Sequence, residues 1–158
     1  MKTLVKSALV AVITLMATHV FAQEWTKTQL EVWQVVEDGW KKWKAGDIAG
    51  EIALLHPKFQ GWSSEEPVPL SKETTSQLYY SMKDNLTLDY YLLNPVRIVV
   101  LENAALVDYY FRYSISFTWG EQKKQEEGYG KIAEFYVKEG GKWLLLGDMT
   151  IHEEEEED

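Results

Sequence analysis

Leu30, Trp33, Val36, Trp40 and Trp43 recur at three- and four-residue steps, a stripe that predicts a helix from about residue 26 to residue 44. Gly39 interrupts it at a cost of about 1 kcal/mol relative to alanine, which the large side chains on the stripe outweigh. Gly46 permits the left-handed backbone that ends a helix, and Asp47 is a good cap for a second helix over residues 48–55. Pro57 stops that helix, because the residue before a proline is pushed out of helical geometry. Phe59 to Trp62 reads as a short extended piece, and residues 63–70, with Pro67 and Pro69, read as a loop. Ser71 caps a third helix, residues 72–84, whose first turn holds Glu73 and whose buried side would carry Leu78, Tyr79 and Met82.

Period two replaces the helical period downstream. Four strand-like runs cover about residues 88–101, 104–119, 129–139 and 142–152, joined by Glu102-Asn103, a charged loop over 121–128, and Gly140-Gly141. In the second run Val107, Tyr109, Phe111, Tyr113, Ile115 and Phe117 share one face, the expected seat of the helices. Asp108, Tyr110, Arg112, Ser114 and Ser116 share the other. Tyr110, and Tyr136 with Leu144 and Leu146 on later runs, suggest that this second face is partly apolar, and a second subunit or ordinary surface aromatics would each account for it. Pro95 implies a bulge or an edge position in the first run.

Composition adds a compartment. Lys2 and Lys6 precede a mostly apolar run, Ser7 to Val20, and Val20-Phe21-Ala22 supplies small residues at the recognition positions of a secretory signal, with cleavage expected after Ala22. The expected home is therefore a periplasm or the cell exterior, with no membrane attachment after cleavage. No cysteine exists, so no disulfide framework is available. The formal net charge is −9, and removal of residues 1–22 makes the chain more acidic still, which argues against nucleic acid as a partner. Residues 23–152 have the length of one domain, followed by an acidic tail, residues 153–158, expected to stay solvated and disordered.

Three pieces carry a family resemblance. Trp40-Lys-Lys-Trp43-Lys-Ala-Gly46-Asp47, then His56-Pro57-Lys58-Phe59-Gln60-Gly61-Trp62, then Gly141-Lys142-Trp143-Leu-Leu-Leu-Gly147-Asp148-Met149 resemble the helix corner, following strand and closing strand of the NTF2-like superfamily, in its SnoaL-like, DUF4440-type branch. The resemblance implies an α+β cone, the ketosteroid-isomerase-like fold, with three N-terminal helices packed on a curved antiparallel sheet. It also implies a cavity, and specifies fold more sharply than chemistry. Members of this branch often have Thr-His in the third strand where this chain has Ala133-Glu134.

The open end of such a cone is its natural pocket, with Trp33, Trp40, Phe59, Trp62, Tyr79, Tyr109, Phe111 and Tyr113 as candidate ligand-binding residues. Plain core packing is the competing role for each of them. His56 is a candidate general base, against a structural role at the helix end. Asp148 sits late in a strand, where an acid is uncommon. If it points inward, burial would raise its pKa and suit it to proton transfer; if Trp143, Leu145, Gly147 and Met149 point inward instead, it faces solvent. His152, before the acidic tail, is expected to be exposed.

Metal-ligand spacing, a nucleophile elbow and a phosphate loop are not found in the sequence, and no cofactor is implied. Two cavity-facing carboxylates do not assemble from the positions matched to the family, which disfavours an isomerase of the paired-carboxylate type. The expectation is a secreted homodimer, paired through its sheet, whose cavity binds a small apolar or amphipathic molecule. A cofactor-free lyase, isomerase or hydrolase using His56 or Asp148 with a tyrosine, and a non-catalytic interaction module with a filled cavity, are the alternatives.

Overall fold

Thr26 starts the long first helix through a reciprocal cap. Its hydroxyl accepts from the backbone N–H of Gln29 (3.3 Å), and Gln29 Oε1 accepts in return from the Thr26 backbone N–H (2.8 Å). This computed structural model describes residues 24–153, so the expected signal, residues 1–22, and all of the acidic tail beyond Glu153 lie outside the described residues. Helix α1 (Lys27–Lys44) is followed by α2 (Ile48–Ile52), β1 (Leu55–Ser63), β2 (Leu70–Ser71) and α3 (Lys72–Met82). Four long strands complete the fold: β3 (Leu86–Val100), β4 (Ala104–Trp119), β5 (Gln122–Glu139) and β6 (Lys142–Glu153). The three helices expected are one long helix and two short ones, and the extended piece before α3 is two strands rather than one.

The six strands form one sheet in the order β2-β1-β6-β5-β4-β3. Every neighbouring pair is antiparallel except β1 with β6, which run parallel. The all-antiparallel expectation fails there, because β6 returns between β5 and the much earlier β1. That pairing also shortens α2. The Leu145 N–H donates to Leu54 O at 2.9 Å, so the sheet takes the chain at Leu54, and Leu55, His56 and Pro57 lie in β1 rather than at a helix end.

The charged stretch after Trp119 is also strand, not loop. Gly120, at φ 61°, makes the turn, and from Gln122 onward each residue pairs with β4, through Glu127 opposite Ser114 and Gly128 opposite Tyr113. Its charges find partners on the surface, Arg112 with Glu127 (3.2 Å) and Lys124 with Glu126 (2.5 Å). Composition pointed to a loop; the unsatisfied hydrogen-bonding edge of β4 decided otherwise. Glu153, expected in the tail, closes β6 and pairs with Lys131 at 3.3 Å.

The core lies between α1 and the inner face of the sheet, where Val32, Val36, Phe59, Ile98, Val107, Tyr109 and Phe111 pack together. The stripe expected on α1 faces inward at Trp33, Val36, Trp40 and Trp43; only Leu30 departs from it, at 49% exposed, and Val32 is fully buried in addition. Gln29 ties the start of the helix to β3 by donating from Nε2 to Ile98 O at 2.6 Å. On α3 Tyr79 and Met82 face inward as expected, whereas Leu78 is exposed and Thr75 is buried. Pro95 does sit in the edge strand, β3, beside an irregularity between Pro95 and Arg97. Two glycines on β5 let large rings close over it. A methyl group on Gly130 would lie 2.1 Å from Ile151 O and 3.0 Å from the Phe111 ring, and one on Gly128 would meet the Tyr113 ring at 2.5 Å.

Candidate ligand cavity

Between the helices and the inner face of the sheet is a cavity of about 510 Å³. Trp40 and Trp43 come from α1, Glu51 from α2, Tyr79 from α3 and Phe59 from β1. The sheet contributes Tyr109, Phe111 and Tyr113 from β4, Ile132, Glu134 and Tyr136 from β5, and Asp148, Thr150 and His152 from β6. The surrounding side chains leave this space unfilled.

Asp148 reaches it through a break in alternation. Tyr136 pairs with Leu145 and Phe135 with Gly147, leaving Leu146 as an extra residue in β6. Before that bulge Trp143 and Leu145 are buried; after it the inward set becomes Asp148, Thr150 and His152, while Met149 is exposed. The two parities weighed for this strand are therefore both realised, one on each side of Leu146. Gly61 leaves the space the carboxyl occupies: a methyl group there would stand 2.6 Å from Asp148 Oδ1 and 2.7 Å from the Phe59 ring. Burial raises the Asp148 pKa to about 6, against the opposing pull of the Trp62 backbone N–H.

Glu134 stands directly opposite Asp148 on β5. It is 6% exposed, and both of its oxygens are held: Tyr109 donates its O–H to Oε1 at 2.8 Å, and Tyr136 donates to Oε2 at 2.7 Å. Trp40 extends the chain of donors from Nε1 to the Tyr109 oxygen at 3.1 Å. Burial lifts Glu134 to about 7; the Tyr136 and Tyr109 hydroxyls pull it back, and the Asp148 charge adds to the rise. Glu51 is also raised to about 7, by burial and then by Asp47. Its Oε2 is sealed from solvent and receives no hydrogen bond among the described residues. Near neutrality such a set holds protons and carboxylate charge side by side, the condition for moving a proton to or from a bound molecule.

Of the residues singled out from sequence, Trp40, Phe59, Tyr79, Tyr109, Phe111, Tyr113 and Asp148 line this cavity. Trp33 does not line it; it packs edge-on against Tyr109 (5.5 Å, 80°) within the core. Trp62 is 42% exposed and donates its indole N–H to Glu66 O at 2.9 Å, bracing the turn that follows β1. His56 lies outside the cavity: Nδ1 accepts from the Lys58 N–H (3.0 Å) and Nε2 faces Glu139 (3.2 Å). Its place in β1, rather than at the end of a helix, turns the ring away from the cavity wall.

Glu134, Glu51 and His152 are the residues that sequence reasoning missed. Alternation through Ile132, Glu134 and Tyr136 would have found Glu134 had Tyr136 been set on the inner face, where it is almost fully buried, instead of the outer one. His152 is half-buried, with its ring edge-on to Phe111 at 5.5 Å. Among the described residues no group of three or more His, Cys, Asp or Glu side chains is arranged to hold a metal ion.

A curved sheet with helices on its inner face and an acid- and aromatic-walled cavity between them defines an α+β cone. Solved structures give the cone its name. A ketosteroid isomerase-like protein from Erwinia carotovora atroseptica matches with a TM-score of 0.70 at 12% identity, over 82% of this chain and 99% of that one. An NTF2-like protein of unknown function from Prochlorococcus marinus matches at 0.67 and 12% identity, over 83% and 97%. Another of unknown function, from Pseudomonas putida, matches at 0.60 and 16%, over 78% and 85%. The chain has the NTF2-like fold. No protein-family model matches it, and no curated protein matches it in sequence.

The raised carboxyl pKa values set a sign for stability. Glu134 binds its proton more tightly folded (about 7) than at its ordinary 4.5, so this contribution to stability is complete below about pH 4.5 and is lost as pH rises through 7. Urea titrations of the wild type and Glu134→Gln at pH 5 and pH 8 should show the wild type losing on the order of 2 kcal/mol relative to the variant across that interval. A difference independent of pH would contradict the assignment.

Proposed function

We propose that this protein is exported and binds a small apolar or amphipathic molecule in its cavity, without a cofactor. The observation that carries the reading is the cavity itself. Its volume falls in the range of small-molecule sites, roughly 300–1,000 Å³, and its wall combines aromatic rings with a few polar groups, as such sites do. N-phenyl-1-naphthylamine, a neutral apolar fluorophore, should brighten on binding, and Ile132→Trp, which fills the cavity, should abolish the signal while circular dichroism remains native. Unchanged binding by a folded Ile132→Trp protein would place the fluorophore elsewhere and sink the reading.

A second reading, a cofactor-free isomerase, lyase or hydrolase, is favoured by the opposed pair Asp148 and Glu134 on the wall, with tyrosine hydroxyls beside them. Asp148 is the base in this reading. It would take a proton from carbon next to a carbonyl group, and solvent would return one. 2-Tetralone in D₂O tests it directly: the wild type should accelerate exchange at the α-carbon over buffer and Asp148→Asn should not. Absence of acceleration by the wild type removes this reading and leaves binding intact.

Export and pairing through the sheet complete the proposal. Leu92, Tyr110, Phe135 and Met149 are exposed on the face away from the cavity, an apolar surface suited to a second copy. Native mass spectrometry of protein recovered from the periplasm should give a dimer of chains that begin at Gln23. A monomer would refute the pairing, and a chain retaining Met1 would refute the cleavage.

A further inference from the structure

We propose that the occupant of the cavity is an organic cation, an amine or quaternary ammonium group carried on an apolar body. This rests on the reading of the cavity as a binding site and specifies its ligand class. Among the described residues no Lys or Arg lines the cavity, whereas Glu51, Glu134 and Asp148 line its depth and Glu65 and Glu126 also contribute. Glu126 is paired with Lys124. The three deeper carboxyls form no ion pair among the described residues, and one oxygen of Glu51 has neither water access nor a donor.

Burying carboxyl groups without a cation is costly, and a ligand that brings the cation relieves that cost only while it is bound. A ligand carboxylate would meet repulsion at the same place. The rest of the wall suits an organic cation rather than a metal ion. Trp40 and Trp43, 5.2 Å apart between ring centres, and Phe111 and Tyr113, 5.8 Å apart with planes 7° apart, all line the cavity, so aromatic rings stand in the same space as the carboxyls. Aromatic faces attract ammonium groups and accept an apolar body, but they replace none of the oxygen ligands a hard metal ion needs. No three of the carboxyls converge as metal ligands do among the described residues.

Three probes of one shape test the inference by calorimetry: 1-naphthylmethylamine, 1-naphthylmethanol and 1-naphthylacetate. The amine should bind at least about tenfold more tightly than the alcohol, and the acetate most weakly. Asp148→Asn and Glu51→Gln should each weaken the amine by a larger factor than the alcohol, with circular dichroism remaining native, which separates loss of charge from loss of fold. Alcohol or acetate binding as tightly as the amine would overturn the cation preference but leave the cavity reading standing. Failure of all three probes to bind would overturn both.

Discussion

Side chains alternate along a strand, and the one extra residue at Leu146 makes β6 serve two surfaces on the same side of the sheet. N-terminal to it, Trp143 and Leu145 fill the core beneath α1; C-terminal to it, Asp148, Thr150 and His152 line the cavity. Without that residue in excess, Asp148 would point away from the cavity and Met149 into it. The strand's neighbours are fitted to this shift. β1 runs parallel to it with its own irregularity between Leu55 and Gln60, and glycine at 61 leaves room where the Asp148 carboxyl turns in.

Hydrogen bonds tie the cavity wall together at Glu134. A buried carboxyl is tolerable when its oxygens are satisfied, and Glu134 receives one hydroxyl from each of two strands, with Trp40 of α1 supporting the first. Helix, β4 and β5 are thereby tied at one point. Glu51 is placed differently, with one oxygen left without a donor among the described residues, so the same cavity holds carboxyls in two different hydrogen-bonding states.

Much of the scaffold was legible from local pattern. The limits of β4, the glycine at 46, the caps at Asp47 and Ser71, and the edge position of Pro95 follow from alternation, backbone freedom and missing donors, which are properties of a few neighbouring residues. The charged start of β5 was not legible, because its charges belong to a loop's composition and its strand conformation comes from β4. The exact place of His56 was not legible for the same kind of reason: its neighbours suggested a helix end, whereas the hydrogen bond from Leu145 to Leu54 draws the chain into the sheet.

By itself the sequence determined the α+β order of elements, the inward face of β4 and an aromatic interior, because helical and strand periods are written in adjacent residues. Tertiary structure alone decided that β1 and β6 run parallel, that Leu146 is the bulge, and that Glu134 and Asp148 stand side by side on one cavity wall. A bulge reveals itself only against the strand it fails to match, and a carboxyl's pKa depends on what the rest of the chain removes from around it: water for Asp148, Glu134 and Glu51 alike.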